Sequence, residues 1–314
     1  MLVLVTNRED LTADWLVLEL ERRGQGFVRL CTEDYPSVIG IDLHPEGAAL
    51  AVGEEPINAD EISAVWWRRS VAPVMPQDRK LDHITWAAGE SHVGWLGFWG
   101  HVDAHWVNRP EANAQADCKP VQLQQAMSHG LHVPPTLITN RLESALDFQK
   151  LHKDIVCKSM HSGVVPHGIT QRSLFTQRLD SDALASLDVL GPEPYLLQAF
   201  IDKIADIRVT VIGHQTFACR IDSQQQIEAA VDWRQGRVDD LQHDPFDLDD
   251  ALTERLVALV SSFGLRFAAI DLVVDQNGDY VFLEVNPNGQ WAWIEQLTGQ
   301  PIASALVDEL VGPR

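Results

Sequence analysis

Residues 268–289 read AAIDLVVDQNGDYVFLEVNPNG, and the chemistry of the chain is best approached from them. Two apolar runs flank Asn277-Gly278, a dipeptide that suits a tight hairpin because both positions tolerate positive φ. The spacing predicts strands over 267–274 and 280–286. Asp271 is a charge in the middle of the first run. Glu284 and Asn286 flank Val285 in the second, so strand alternation puts them on one face. Asp271 lies seven residues before Gly278 and Glu284 seven after Asn277, which brings the two carboxylates opposite each other. Facing carboxylates repel unless a cation separates them, and they are seldom buried without partners. Three oxygen donors without His or Cys form a hard-cation set. They suit Mg²⁺, which keeps several waters and takes further ligands from phosphates. The plainer alternative makes Asp271 an inward polar residue on an edge strand and Glu284 a surface charge.

The rest of the composition bounds what that site can serve. At 314 residues, 45% hydrophobic and 22% charged, the chain is an ordinary globular mixture long enough for about two domains. A formal net charge of −21 disfavours nucleic-acid binding, although local lysines and metal ions still permit a nucleotide. Four cysteines without a CxxC pair argue against a disulfide scaffold or zinc site and fit a reducing cytoplasm. The opening MLVLVTNRED is too short and polar for a signal peptide, and no run nears ~18 apolar residues, so no membrane segment is expected.

Working outward towards the N-terminus, residues 2–5, 12–23 and 26–30 read as strand, helix and strand, a βαβ start. It lacks GxGxxG and reads as scaffold or substrate platform. Short strands follow to Trp66-Trp67-Arg68-Arg69, then a buried helix over 84–99 whose core side carries Trp86, Val93, Leu96 and Trp99. A boundary is expected near Arg109-Pro110, giving a 1–110 α/β domain and a 111–314 domain with a lid over about 140–200. In the second, a single helix is expected over 111–129, an extended connection over 131–138, a helix over 142–152 and a strand over 154–158. Strands follow at 195–201, 207–212 and 216–221. The acidic stretch 239–250 reads as a solvated loop, and 247–263 as a helix with Leu252, Leu256, Leu259, Val260 and Phe263 on one face.

Phosphate chemistry calls for lysines and an arginine upstream. Lys158 ends a strand and is followed by SMHSGVVPHG (159–168), whose Gly163 and Gly168 permit a loop folded over phosphates. Lys119, alone, reads more simply as a surface lysine on a helix. The order of motifs resembles the ATP-grasp superfamily of carboxylate ligases over roughly residues 106–303. The matching pieces are Asn-Arg-Pro-Glu (108–111), Lys119-Pro120, Lys158, Gln198-Ala199-Phe200-Ile201, Asp206-Ile207-Arg208-Val209, Arg220, Asp232-Trp233-Arg234, Asp271 and Glu284-Val285-Asn286-Pro287. Trp67-Arg68-Arg69 and Asn286-Pro287-Asn288-Gly289-Gln290-Trp291 make it most similar to the microviridin/graspetide-type peptide maturases, with glutamate ligases that modify ribosomal proteins next.

That resemblance implies an N-terminal α/β pre-ATP-grasp domain, a small lid and a C-terminal antiparallel sheet that binds nucleotide. It implies ATP with two Mg²⁺, an ADP-forming reaction through an acyl phosphate, and a precursor peptide (leader plus acidic and hydroxyl core) as substrate of a homodimer. By residue, Lys119 and Lys158 would contact phosphates, Gln198, Ala199, Phe200 and Ile201 the adenine through their backbone, and Asp206 the ribose. Arg208 and Arg220 would neutralise the γ-phosphate and acyl phosphate; Asp271, Glu284 and Asn286 would hold the metal; Arg68 or Arg69 would meet an acidic peptide. Ala199 departs from the family's usual Glu, and the glycine loop is degenerate. Two alternatives stand beside this: a glutamate or amino-acid ligase acting on a protein terminus or small molecule, and a nucleotide-binding regulatory module without turnover. His161 and His167 read as loop histidines, Cys157 as a small core residue, and most of the ten tryptophans as core. Trp291 and Trp293 fit equally an acceptor-pocket wall or the core.

Overall fold

The computed structural model describes residues 1–53, 55–71, 81–160, 164–167, 170–180, 184, 193–237 and 240–312. The first unit builds β1 (Leu2–Thr6), α1 (Leu11–Arg22) and β2 (Phe27–Cys31), followed by β3 (Gly40–His44), β4 (Gly47–Val52), β5 (Glu55–Asn58) and β6 (Ala64–Trp67). Then come α2 (Leu81–Gly100) and β7 (His105–Val107). Strands β2-β1-β6-β7 form a parallel sheet, and β3-β4-β5 a small antiparallel one. Alternation along the parallel strands serves two cores. Leu2, Leu4 and Trp66 join one with Leu306 and Leu310, whereas Val3, Val5 and Trp67 join another with Trp95, Phe98 and Trp99. Asp10 caps α1 by accepting from Thr12 N–H.

The burial of α2 differs from the sequence expectation. Trp86 is 68% and Val93 69% exposed, and Leu96 also faces outward, while Ala87, Trp95, Phe98 and Trp99 are buried. The helix is apolar on more than one side, so periodicity does not select the inward face. What selects it is an aromatic cluster: Trp99 lies edge-on to Trp67 and Trp106, with ring centroids 5.5 and 5.8 Å away.

The expected 111–129 helix is two helices, α3 (Pro110–Ala116) and α4 (Lys119–Ser128). Pro120 in the first turn of α4 lacks an N–H and cannot continue α3, so the chain restarts at Lys119. Next come β8 (Thr136–Thr139), α5 (Leu142–His152), β9 (Ile155–Lys158), β10 (Val164–His167), β11 (Thr170–Ser173), β12 (Gln177–Leu179) and β13 (Tyr195–Ala199). Strands β12-β9-β13-β8 form an antiparallel sheet, and β10 pairs with β11. Gly163, Gly168 and His161 lie outside the described residues.

The main sheet is antiparallel, in the order β16-β15-β14-β17-β18, built from β14 (Lys203–Ile212), β15 (Gln215–Ile221), β16 (His243–Phe246), β17 (Phe267–Asp275) and β18 (Tyr280–Asn286). Strand β16 occupies part of the stretch read as an acidic loop: Asp244 pairs with Arg220, which a charge count cannot reveal. Helix α6 (Asp250–Ser262), capped by Asp249, buries Leu252, Leu256, Leu259 and Val260 against Ile207, Val209, Ile270 and Leu272. The chain ends in α7 (Ala292–Thr298) and α8 (Ile302–Val311). No helix among the described residues is long and apolar enough to cross a membrane.

Candidate active site

The face of the main sheet opposite α6 carries the charges. Strand register sets Arg208 opposite Asp271, and Asp271 opposite Glu284, as the hairpin arithmetic predicts. Between Asp271 and Leu272 the register shifts, so Leu272 pairs with Phe282 and Leu283 is the extra residue. This bulge lets Phe282 enter the α6 core while Glu284, two positions on, looks the other way, a re-aiming that plain alternation forbids. Leu283, Glu284, Val285 and Asn286 line a cleft of about 240 Å³ with Asp271, Lys119 and Lys158.

Each carboxylate already has a cation. The Arg208 Nη1 donates to both oxygens of Asp271 at 2.8 and 2.9 Å. The Lys119 ammonium sits on Glu284 Oε2. Burial raises the Glu284 carboxyl, but Lys119, Arg234 and Lys158 overcome it and hold it well below the usual carboxylate range, at about 2. Desolvation pushes Lys158 down to about 8, opposed by Glu284 and reinforced by the charge of Lys119. Opposed carboxylates here are therefore reconciled by side chains rather than requiring a metal, which weakens the repulsion argument made from sequence. The donor chemistry still fits Mg²⁺. Both acids and the Asn286 amide offer oxygen on one face, and no cluster of three His, Cys, Asp or Glu able to hold a metal exists among the described residues. A metal on this face has to complete its shell from phosphate and water, as Mg²⁺ does.

Other expected residues are distributed unevenly. Gln198, Ala199, Phe200, Ile201 and Asp206 all line the cleft. The backbone N–H groups of Ala199 and Phe200 donate to Pro135 and Asp154 carbonyls at 2.9 Å each, so a base must use other edges of this segment. Gln198 Oε1 is buried without a partner, while its Nε2 donates to Thr136 Oγ1 at 2.9 Å. Asp206 is buried; desolvation raises its carboxyl, opposed by Lys203 at 2.7 Å and by the Ser223 hydroxyl. Arg220 is a correction. It pairs in register with Ile207 and so takes the α6 side of the sheet, where its Nε meets Asp222 at 2.9 Å. It cannot share a phosphate with Arg208, because adjacent register positions point to opposite faces. Arg68 is a second correction. Its side chain is buried against Asp10 and is closed to a peptide, whereas Arg69 is exposed at φ +47°. Trp291 is buried, and Trp293 packs against Trp233 with centroids 5.3 Å apart.

Two cations at the cleft had no assigned role in the sequence reading. Arg234 is bound by Asp232 at 2.6 Å, which raises the guanidinium; the Asp232 carboxyl, pushed up by burial, is held down to about 2 by Arg234 and by the Thr176 N–H. Asp232-Trp233-Arg234 was visible as a motif. Lys203, 5% exposed at the irregular start of β14, had no sequence signal.

Residues 1–114 match the family described as MvdD pre-ATP grasp domain, and residues 119–310 match the RimK-like ATP-grasp domain. The chain belongs to the RimK-like ATP-grasp family. Its fold is accordingly the ATP-grasp fold, with a pre-ATP-grasp unit ahead of a nucleotide-binding sheet, and the protein is an ATP-grasp ligase. Solved structures agree along the whole chain. A RiPP-associated ATP-grasp ligase from Chryseobacterium gregarium, in complex with ADP and a leader and core peptide, is 26% identical with TM-score 0.89, covering 100% of this chain and 97% of that one. Macrocyclase MdnC of Microcystis aeruginosa MRC, bound with precursor peptide MdnA, is 28% identical with TM-score 0.87 and 99% coverage of both chains. Macrocyclase MdnB from the same organism is 28% identical with TM-score 0.82, again covering 99% of each. A search of curated proteins found no match. In this ATP-grasp ligase the cleft is lined from both the main sheet and the β12-β9-β13-β8 sheet.

Proposed function

We propose that the protein joins side-chain carboxylates of a ribosomally made precursor peptide to hydroxyl or amine groups, using ATP and forming ester or amide crosslinks. The observation that carries this is one cleft uniting Asp271, Glu284 and Asn286 with Lys119 and Lys158, in a chain alike end to end with peptide-modifying ligases. In this reading Lys119, Lys158 and Arg234 hold the phosphates, Gln198 to Ile201 border the base, and Asp206 faces the ribose. Asp271, Glu284 and Asn286 hold magnesium, with two ions as the working number. When bound, Mg²⁺ supplies charge neutralisation and orients the phosphates.

A carboxylate is a poor electrophile because its oxygen leaves badly. Its oxygen attacks the γ-phosphorus and ADP departs; a neutral hydroxyl or amine then attacks the acyl carbon, the C–O bond to phosphate breaks, and the proton lost by the nucleophile ends on the departing phosphate. The groups at hand position anions and offset their repulsion, which is the main demand of phosphoryl transfer. Arg208, paired with Asp271 on the charged face of the sheet, would neutralise the acyl phosphate, and Asp271 would help to hold the metal. An exposed Arg69 is left as the peptide contact. Four free cysteines fit a reducing cytoplasm.

The homodimer reading has a surface of its own. Trp86, Val93 and Leu96 form an outward stripe on α2, and residues 83–100 carry only one charged side chain, Glu90, in a chain of −21. Two such acidic copies meet with least repulsion there. A Trp86→Glu variant should halve the solution mass measured by light scattering if this is the contact.

The activity test is purified protein with ATP, Mg²⁺ and a Thr/Ser- and Asp/Glu-rich precursor peptide. Loss of one water per bond by mass spectrometry, with matching ADP, is the expected result. ADP formed readily with free amino acids and never with a peptide would instead favour the amino-acid ligase.

A further inference from the structure

Residues 287–290 form the loop that leaves β18 after Asn286 and leads towards α7. Its backbone is held from the carboxyl edge of the N-terminal parallel sheet. Arg68, just past β6 and 1% exposed, donates from Nη1 to the carbonyls of Asn288 at 3.1 Å and Gly289 at 2.8 Å. Its Nε is fixed by Asp10 Oδ2 at 2.8 Å. Asn108, just past β7 and also buried, donates from Nδ2 to the Pro287 carbonyl at 3.4 Å and the Phe267 carbonyl at 2.9 Å. Its Oδ1 accepts from the Arg266 and Phe267 N–H groups at 2.8 and 3.0 Å. The Arg69 N–H reaches Asn288 Oδ1 at 3.3 Å. Asn288 in turn donates its own N–H to Asn286 Oδ1 at 2.9 Å. Gly289 is obligatory in this arrangement, since a Cβ there would lie 2.3 Å from Ala269 Cβ and 2.7 Å from Arg208 Nη2.

We infer that Arg68 is a positioning residue for the Asn286 amide: with Asn108 it clamps loop 287–290 so that Asn286 presents oxygen to the metal. The inference rests on the magnesium reading given above. An amide can offer either its oxygen or its NH₂, and the Asn288 N–H decides which end lies where. That N–H keeps its direction because the carbonyls on its peptide neighbours are tied down by Arg68 and Asn108. The N-terminal unit thereby shapes a site to which it contributes no ligand, and the Trp67-Arg68-Arg69 and Asn108-Arg109-Pro110 motifs gain a common purpose. Groups that orient metal ligands typically control affinity by 10–100-fold.

The test compares four proteins: wild type, Asp10→Asn, Arg68→Lys, and Asp10→Asn with Arg68→Gln, the last leaving no unpaired carboxylate. ATP affinity is measured by calorimetry in EDTA and across a Mg²⁺ series, with thermal unfolding of each ligand-free protein alongside. The double variant is expected to bind metal-free ATP within about twofold of wild type, yet to need about tenfold more Mg²⁺ for half-maximal enhancement, in line with lost ligand orientation. Arg68→Lys should recover part of that shift, and Asp10→Asn should show little of it. An unchanged Mg²⁺ midpoint overturns the inference, even if melting temperature drops. A parallel loss of metal-free and metal-dependent binding also overturns it, since that is a general structural defect. If the double variant does not fold, Arg68→Lys decides by its own Mg²⁺ midpoint, shifted for the inference and unshifted against it. A wild type that gains nothing from Mg²⁺ sinks the metal reading itself, before any variant is compared.

Discussion

The two faces of β14, β17 and β18 are made from interleaved residues of the same strands and do opposite work. One face buries Ile207, Val209, Ile270 and Leu272 against α6. The other lifts Asp206, Arg208, Asp271 and Glu284 towards the cleft, each with an oppositely charged partner. Burial of the first face stabilises the sheet by about 1.5–3 kcal/mol per large side chain. The second costs desolvation, which its ion pairs offset without a large surplus. Stability and chemistry are thus separable by a single step along a strand, and substitutions can show how cleanly.

The largest expected effect is on turnover. Glu284→Gln removes one carboxylate charge from the proposed metal face and should lower ADP formation by about 10²–10³-fold, in the range seen for one strong electrostatic group. Ligand-free stability should fall too, because Lys119, Arg234 and Lys158 lose the carboxylate that they hold ionised, but turnover carries the larger effect. Ile270→Ala, one residue from Asp271 but on the other face, should reverse that pattern. It should cost about 2–5 kcal/mol in denaturant unfolding and leave ATP affinity of the folded protein near wild type. Equal loss of stability and activity in both variants would break the comparison.

A smaller effect concerns pH. Lys158 titrates at about 8 in the folded protein against an ordinary 10.5. Between those values the unfolded chain keeps a proton that the folded one releases, so this group's contribution to stability rises with pH across that window. ATP binding runs the other way. Phosphate favours charged Lys158, so ATP affinity should fall above pH 8, by up to about tenfold per unit, with proton uptake on binding. Calorimetry in buffers of different ionisation enthalpy reads both. Glu284, depressed from 4.5 to about 2, adds stability that is complete above pH 4.5 and is lost as pH falls towards 2. The smallest effect is expected for Arg220→Ala, on the α6 face: ADP formation within about twofold of wild type. A hundredfold loss would return Arg220 to the site.

Much of this was legible in sequence where a local rule acts alone. The Asn277-Gly278 hairpin and the α6 stripe stand as read, while the Asp271–Glu284 pairing counted from that turn is reached only through the Leu283 bulge. Long-range geometry was not legible. Arg220, named only through the resemblance, pairs with Ile207 across the β14–β15 turn and so falls on the α6 face. The Leu283 bulge, which frees Glu284 from the face of Phe282, leaves no trace in residue types. Arg68 read as a surface cation because its acceptors, Asn288 and Gly289, lie more than two hundred residues along the chain. On α2 the choice between two apolar sides was made by Trp67 and Trp106, again from afar.

The most direct measurement is calorimetric titration of Mg-ATP into wild type and an Asp271→Asn, Glu284→Gln double variant, both checked for folding by circular dichroism. Saturable binding by wild type, with its magnesium dependence abolished in the folded double variant, is the expected result. No heat with wild type, or a double variant that binds Mg-ATP as tightly as wild type, would contradict the assignment of that face.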